Sequence, residues 1–240
     1  PLVRGTLVHV GLAHFYRQLQ ATQQGEDPSS WYDPIEAIGA VIPTMKESDQ
    51  AVAREVLLVC QQAVAEYILR LGSIERFKVL HVEHPVEAQL TWTPPGGIQL
   101  GPYRLTQRLD LVIEDAGGLV WVLDHKTTYK IESKSVHRYT LSGQFLAMQS
   151  FGRSLWGSRF GGARINFIGM TPPFSFKRVS PSPAPAALAR FPQIVIDAED
   201  RIKVLADRDP WNYPAAMNEH TCMGAYGKCP AFDVCSWGRP

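Results

Sequence analysis

The sequence predicts an α/β fold in which helices pack on both sides of a mixed β-sheet. Two observations support this. Apolar residues at helical spacing dominate the first 72 residues, and β-rich runs dominate the segment that follows. The order helix, strands, hairpin, helix and strand then suits a sheet covered by helices. No repeat or low-complexity block interrupts this order.

The composition is that of a globular protein. The 240 residues, 45% hydrophobic and 20% charged, are enough for one large core. No apolar run is long enough to span a membrane and no signal peptide pattern is present, so we expect no membrane association and a cytoplasmic location. The net charge of +1 says nothing about nucleic acid.

The distribution of charge says more. From Lys126 to Arg178 there are nine Lys and Arg residues and a single acidic residue, Glu132. Such a segment suits a polyanionic ligand. The alternative is a basic surface that acidic residues elsewhere balance.

Two helices are predicted near the N-terminus. In residues 5–20 an apolar stripe runs at helical spacing (Val8, Leu12, Phe15, Tyr16 and Leu19), and His9 lies beside it. A mixed polar connection follows at 21–47. Ser48 is the candidate cap of a second helix, which Gly72 ends.

A strand is predicted at 76–92, where Pro85 is expected to interrupt it, and it contains Glu83. A Pro-Pro-Gly-Gly turn at 94–97 leads to a strand at 98–105. Further on, a helix is predicted at 135–156, strands at 164–170 and 174–179, and a helix beginning after Pro192.

The stretch 108–128 predicts a hairpin, because two apolar runs flank an acidic loop that contains glycine. If Asp115 and Leu119 close the loop, Asp110 lies opposite Asp124 on one face of the sheet. Lys126 is two residues further along the strand and shares that face. The hairpin therefore predicts a patch of two carboxylates and an ammonium group.

This patch has a chemical use and a structural one. Neighbouring carboxylates favour a divalent cation with oxygen ligands, usually Mg²⁺ or Mn²⁺, which can acidify water and neutralise charge on a phosphate. A lysine beside it can orient the water or stabilise developing negative charge. The alternative is a structural ion pair at a strand end.

The spacing D-(x)13-D-x-K, with an apolar run before each Asp, resembles the PD-(D/E)xK nuclease superfamily. The residue pattern RLDLVIED…VWVLDHKTT is most similar to that of its RecB-type branch, which includes phage exonucleases and CRISPR-adaptation nucleases. The resemblance implies a restriction-endonuclease-like core in which Asp110 and Asp124 bind the metal and Lys126 is catalytic. It also implies that His125 offers its backbone carbonyl to the metal.

The resemblance extends to other elements. Gly5 to His9 is similar to a G-x-x-x-H element of the family, which implies that His9 is a metal ligand. Glu83 stands where family members often carry a glutamate that supports the metal or the lysine, although a simple rim charge is the alternative. Gln144 matches a Q-x-x-x-Y element near the DNA, but Met148 stands in place of the tyrosine.

Three of the four cysteines lie near the C-terminus: Cys222, Cys229 and Cys235. The last two fit a family element that holds a [4Fe–4S] cluster, whereas Cys222 is displaced from the usual spacing. Zn²⁺, or no metal, is the alternative. Cys60 lies in a helical apolar stripe and is interpreted as a small buried hydrophobe.

Taken together, the sequence predicts one nuclease domain over 1–240 with a cysteine-rich segment at 220–240. The resemblance implies a metal-dependent DNA nuclease, an exonuclease of recombination, repair or phage replication in a bacterial or phage-infected cell. We expect it to act at a free DNA end, with recombination or replication proteins as partners. Basic residues after the hairpin would follow the DNA backbone: Lys130, Lys134 and Arg138. The alternatives are a restriction-like endonuclease and a nuclease-like module that only binds nucleic acid.

Overall fold

The computed structural model describes residues 2–72, 75–93, 97–132 and 139–206, and two short strands at 223–224 and 227–228. The main sheet has five strands in the order β1-β2-β3-β4-β5. Their bounds are Lys78–Trp92, Leu100–Glu114, Val120–Thr128, Phe160–Gly169 and Ser175–Val179. The pair β3–β4 is parallel and the other pairs are antiparallel, so the predicted mixed sheet is confirmed.

Helices cover both faces of this sheet. On one face lie α1 (Leu2–Gln24), α2 (Pro34–Ala40) and α3 (Glu47–Arg70). On the other lie α4 (Gly143–Trp156) and α5 (Pro185–Ala206). Alternate residues of β2 and β3 enter the two cores: Leu111 and Leu123 pack toward α1 and α3, whereas Val112 and Val122 pack toward α4.

The hairpin register is the one that the sequence predicts. Leu111 pairs with Leu123, and the Asp115 N–H donates to the Leu119 carbonyl at 2.9 Å, which closes the loop as expected. Gly118 takes a positive φ of 79° in this turn, a conformation that glycine adopts without steric cost. One step further along the same register lie Asp110 and Asp124.

Three local predictions are wrong. Ser48 does not cap α3, which begins at Glu47 after Lys46. Pro85 does not interrupt β1, because β1 is an edge strand, where a missing N–H donor is tolerated, and Pro85 stays paired with Arg108. Pro192 lies inside α5 rather than before it, since the buried side chains of Phe191 and Ile196 anchor the helix on both sides of it.

Candidate active site

A cleft of about 960 Å³ opens where α1, the sheet and the start of α4 meet. A face of α1 forms one wall. Side chains from β1, β2, β3 and α4 form the rest of the lining. Most of the residues that the sequence singles out line this cleft or contact its lining residues: His9, Glu83, Asp110, Asp124, His125, Lys126 and Gln144. They divide into two groups with different charge balance.

The first group, called the metal half, consists of His9 on α1, Glu83 on β1 and Asp110 on β2. One ligand atom of each residue lies within 4.8 Å of the others. Carboxylate oxygens with an imidazole nitrogen suit Mg²⁺ or Mn²⁺, so these donors fit the cation that the resemblance implies. Three separate elements therefore supply one compact set of donors.

The strand register brings Glu83 to Asp110. Val82 pairs with Leu111 and His84 pairs with Leu109, which leaves Glu83 opposite Asp110. Glu83 has a φ of 53°, in the left-handed region that glycine favours. Such a conformation costs on the order of 1 kcal/mol or more and is concentrated at functional sites. Glu83 is therefore held in a strained position beside the other ligand candidates.

His9 presents an acceptor to Asp110. Its Nε2 lies 2.8 Å from the His125 carbonyl oxygen. Because a carbonyl can only accept, Nε2 must carry the hydrogen, which leaves the Nδ1 of a neutral ring as an acceptor. That Nδ1 lies 3.5 Å from Asp110 Oδ2. Two acceptors that face each other in this way are an arrangement that a proton or a metal cation would stabilise.

Asp110 has few groups that compensate its charge. Its Oδ2 accepts one hydrogen bond, from the His125 N–H at 2.8 Å. Burial, with a smaller contribution from Asp124, raises the pKa of Asp110 to about 6. Among the described residues no lysine or arginine forms a salt bridge with it.

The second group, called the lysine half, consists of Asp124, Lys126 and Gln144. Lys126 Nζ lies 2.8 Å from Asp124 Oδ2 and 3.1 Å from Oδ1, and it donates to Gln144 Oε1 at 3.0 Å. The Gln144 amide donates to Asp124 Oδ1 at 2.8 Å. Burial raises the pKa of Asp124, and the charge of Lys126 opposes this shift without cancelling it. This half is neutral and its polar groups are satisfied.

His125 joins the two halves through its backbone, and its buried ring fixes its position. The ring stacks on Tyr16 with an interplanar angle of 10°, and Nδ1 lies 2.9 Å from Asn166 Nδ2. Asn166 also donates to Tyr67, which receives a hydrogen bond from Arg178. Burial lowers the pKa of His125 well below its usual value, so the ring is uncharged.

A partly buried ion pair lies behind this ring. Arg178 Nη2 lies 2.8 Å from Glu75 Oε1, and the two charges hold the tyrosines in place. Desolvation lowers the pKa of Arg178, but the hydrogen bond to Glu75 and the nearby tyrosines outweigh it, so the pKa is raised. A buried network of this kind positions the main chain of β3 rather than contacting a ligand.

The predicted basic segment is partly structural. Arg178 pairs with Glu75, Arg159 bonds Glu114 at 2.9 Å, and Arg164 lies over the Trp121 ring at 3.6 Å. Lys130 is exposed. Lys134 and Arg138 lie outside the described residues, as do the three C-terminal cysteines Cys222, Cys229 and Cys235.

Two further outcomes concern single residues. Met148 is buried in the core under α4, so the position where the family has a tyrosine does not face the cleft here. Cys60 is a free cysteine buried in the core on α3, which confirms its interpretation as a small hydrophobe.

Sequence reasoning missed the far end of the cleft, where His14, Arg17 and Tyr32 line the wall. The sequence predicts the segment 21–47 as a connection with room for a short helix, which the structure has as α2. A usable signal was the adjacent Trp-Tyr pair, Trp31 and Tyr32, between two Asp-Pro steps that favour turns. Apolar rings in such a polar loop are unusual unless they pack or bind something.

The fold and the cleft define a class: an α/β protein with carboxylates and a lysine grouped at neighbouring strands. A sequence model of the PD-(D/E)XK nuclease superfamily matches residues 1–236, and the chain belongs to this superfamily. Its members are nucleases that generally depend on Mg²⁺ or Mn²⁺ and act on nucleic acid.

Comparisons with solved structures and with curated proteins do not define the function further. The crystal structure of SSO0001 aligns with a TM-score of 0.32 at 16% identity, over 69% of this chain and 80% of that chain. No curated protein matches the chain. Within the described residues no helix is both long and apolar enough to cross a membrane.

Proposed function

We propose that the protein is a metal-dependent deoxyribonuclease of the RecB type, with exonuclease action at a free DNA end. The observation that supports it most is the metal half: two carboxylates and an imidazole nitrogen that lie within 4.8 Å of one another. Packing alone does not favour this arrangement, because like charges repel when they are partly shielded from water. A divalent cation resolves that repulsion.

In this proposal His9, Glu83 and Asp110 hold the cation, and Asp124 and the His125 carbonyl complete the ligand set. Both Asp124 oxygens lie within hydrogen-bonding distance of Lys126, so ligation exchanges one such contact for the cation. The His125 carbonyl oxygen lies 2.8 Å from His9 Nε2, so it shares a cation with His9 only if the ring ligates through Nε2 and its hydrogen moves to Nδ1. When bound, the cation supplies Lewis-acid stabilisation of the phosphate and acidifies water.

Lys126 is the proposed catalytic residue. Asp124 and Gln144 hold its ammonium group at the cleft, where it orients water or stabilises negative charge on the phosphate. Hydrolysis forms a P–O bond to the water oxygen and breaks the P–O bond to the leaving sugar oxygen, which takes up a proton. Gln144 positions the lysine rather than reacting.

The test uses labelled linear and covalently closed single-stranded DNA, with Mn²⁺ and with EDTA. We expect the protein to degrade the linear strand from its end in Mn²⁺ and to leave it intact in EDTA. Cleavage that persists undiminished in EDTA would refute the metal mechanism. Rapid cutting of the closed circle would favour a restriction-like endonuclease, and binding without cleavage would favour a non-catalytic nucleic-acid-binding module.

The exposed Lys130, together with Lys134 and Arg138, is proposed to follow the DNA backbone. Phosphate contacts release counterions, so binding should weaken steeply as salt rises. The proposed process is recombination, repair or phage replication in the cytoplasm, with partner proteins of that process.

We also propose one nuclease domain over 1–240 whose cysteine-rich segment, 220–240, holds a soft metal centre through Cys222, Cys229 and Cys235. The support is their spacing in sequence and the preference of thiolates for iron–sulfur clusters or Zn²⁺. Protein purified without oxygen should contain iron and be brown. Zinc without iron would change the metal and keep the site, and neither metal in active protein would refute it.

A further inference from the structure

The cleft continues past the metal half to a second cluster of side chains, here called the aromatic end: His14, Arg17, Trp31 and Tyr32. Three of them line the same cleft as His9 and Lys126, and Trp31 lies against Arg17. None takes part in the proposed chemistry. This end therefore needs its own explanation.

The aromatic end is in line with the metal half along α1. His9, Ala13 and Arg17 are four residues apart and all line the cleft, so they form one stripe of the helix. From His9 to Arg17 the helix rises about 12 Å. A strand whose phosphate lies at the metal half can therefore reach the aromatic end a short distance along its length.

The rings are exposed but their backbone is fixed. Trp31 is 40% exposed and Tyr32 is 68% exposed. Gln18 Nε2 donates to both of their carbonyls, at 3.4 and 3.2 Å. Asp33 caps α2 immediately after them. The segment is thus a stable platform that holds two large rings in solvent.

The charge of this end suits a polyanion. Arg17 lies 5.3 Å from the centre of the Trp31 ring, and among the described residues no carboxylate forms a salt bridge with it. His14 Nδ1 is buried and has no hydrogen-bond partner in the described part of the chain. Burial and the Arg17 charge lower the pKa of His14, and a hydrogen bond with the backbone of Tyr32 opposes this shift.

We propose that the aromatic end binds an unpaired nucleobase of a DNA strand, which stacks on Tyr32 while the adjoining phosphate contacts Arg17. The proposal rests on the proposed nuclease function and narrows its substrate to a single-stranded segment. Stacking on an aromatic ring tolerates any base, because every base has a π-face. Paired bases in a duplex do not offer that face.

The test is a cycle that removes the ring and the base separately. Binding is measured by fluorescence anisotropy in Mn²⁺ with Lys126→Ala protein, so that the strand is not cut. The two probes are a single-stranded oligonucleotide and the same sugar-phosphate strand without bases near its end. The Lys126→Ala parent should bind the complete strand roughly tenfold more tightly than the strand without bases, which is the expected contribution of one base–ring contact.

Tyr32→Ala should bind both strands with equal affinity, whereas Tyr32→Phe, which keeps the ring, should retain the tenfold preference. Tyr129→Ala is the matched control, because Tyr129 is 75% exposed and does not line the cleft. It should also retain the preference. Equal preference in Tyr32→Ala and the parent, or its loss in Tyr129→Ala, would overturn the assignment to Tyr32.

Arg17→Ala supplies an independent arm. The affinity falls as salt rises, and loss of one phosphate contact should make the negative slope of log affinity against log salt concentration shallower by about 0.7 for a single strand. An unchanged slope would remove Arg17 from the site. If this surface instead serves to bind a partner protein, the Lys126→Ala parent should bind both strands with equal affinity. That result also overturns the proposal.

Cleavage by the wild-type protein distinguishes failure of the nuclease function from failure of base binding at the aromatic end. If wild-type protein shows no metal-dependent cleavage, the nuclease proposal fails before the binding cycle is run. If the wild type cleaves linear DNA in Mn²⁺ but the parent does not distinguish the two strands, only the aromatic-end proposal fails.

Discussion

The two halves of the cleft lie side by side but balance their charges differently. In the lysine half, Asp124 is neutralised by Lys126 at 2.8 Å and receives the Gln144 amide. In the metal half, Asp110 is paired with an imidazole nitrogen at 3.5 Å, and the ion-pair partner of Glu83 among the described residues is the exposed Arg108 at 3.9 Å. One half is complete without a ligand and the other is not.

This difference shows which half supports the functional conclusion. A buried Asp–Lys pair with satisfied hydrogen bonds also occurs as a structural feature of many proteins. Two carboxylates that approach an imidazole destabilise a fold unless a proton or a metal cation joins them. The D-x-K motif, Asp124 to Lys126, therefore locates the site in the sequence. The metal half explains why a cation is expected to bind there.

The largest expected effect is on turnover, from a change in the lysine half. Lys126→Ala should lower the cleavage rate by about 10²–10³-fold, the usual loss for one charged donor at a transition state. Quenched-flow or gel assays in Mn²⁺ would measure it. Lys203→Ala is the control, since Lys203 is an exposed lysine on α5. A Lys126→Ala rate within a few-fold of the wild-type rate would remove Lys126 from catalysis.

The next expected effect is on stability, from a change in the metal half. Because burial raises the pKa of Asp110 to about 6, its stabilising contribution is complete below its usual value near 3.8 and is lost as pH rises through 6. Asp110→Asn should therefore raise the melting temperature of metal-free protein at pH 7.5, on the order of 5 °C. Thermal unfolding in EDTA at pH 5 and pH 7.5 would measure it.

The Asp110→Asn gain should be smaller at pH 5 than at pH 7.5, because part of the wild-type carboxyl group is already protonated there. A variant that is less stable than the wild type at both pH values would contradict the view that Asp110 is costly without a cation. The amide keeps an acceptor for the His125 N–H, so the hydrogen bond is not the variable.

The smallest expected effect separates the side chain of Glu83 from its backbone. Glu83→Gly removes both the ligand and the cost of its positive φ, so it should weaken Mn²⁺ binding yet unfold at the same or a higher temperature. Glu83→Gln keeps the strained backbone and should weaken binding without that gain. A Glu83→Gly protein clearly less stable than Glu83→Gln would show that the conformation is not strained.

The centre of the site is predictable from the sequence, but its rim is not. The glycine loop suggests closure at Asp115 and Leu119 without fixing the register, and with that closure, which the structure has, the local pattern groups Asp110, Asp124 and Lys126. Glu83 reaches Asp110 only through the register of β1 and an unusual φ, neither of which a sequence pattern fixes. Its role is therefore suggested only by resemblance.

The aromatic end shows a second limit. Trp31 and Tyr32 belong to a loop whose position depends on how α1 and α2 pack, a tertiary contact without a periodic signal. The same holds for His125, whose ring depends on Asn166 of β4, a strand that pairs with β3 in parallel after a crossover. Local patterns predict elements, and residues that several elements bring together require the fold.

Calorimetric titration of Mn²⁺ into wild-type, Lys126→Ala and Asp110→Asn proteins at pH 7.5 tests the division of the cleft most directly. The metal half should bind the cation without the lysine, so Lys126→Ala should keep an affinity for Mn²⁺ close to or above that of the wild type. Asp110→Asn should lose measurable binding. If Asp110→Asn binds Mn²⁺ as the wild type does, the cation does not bind at His9, Glu83 and Asp110, and the metal half has been misassigned.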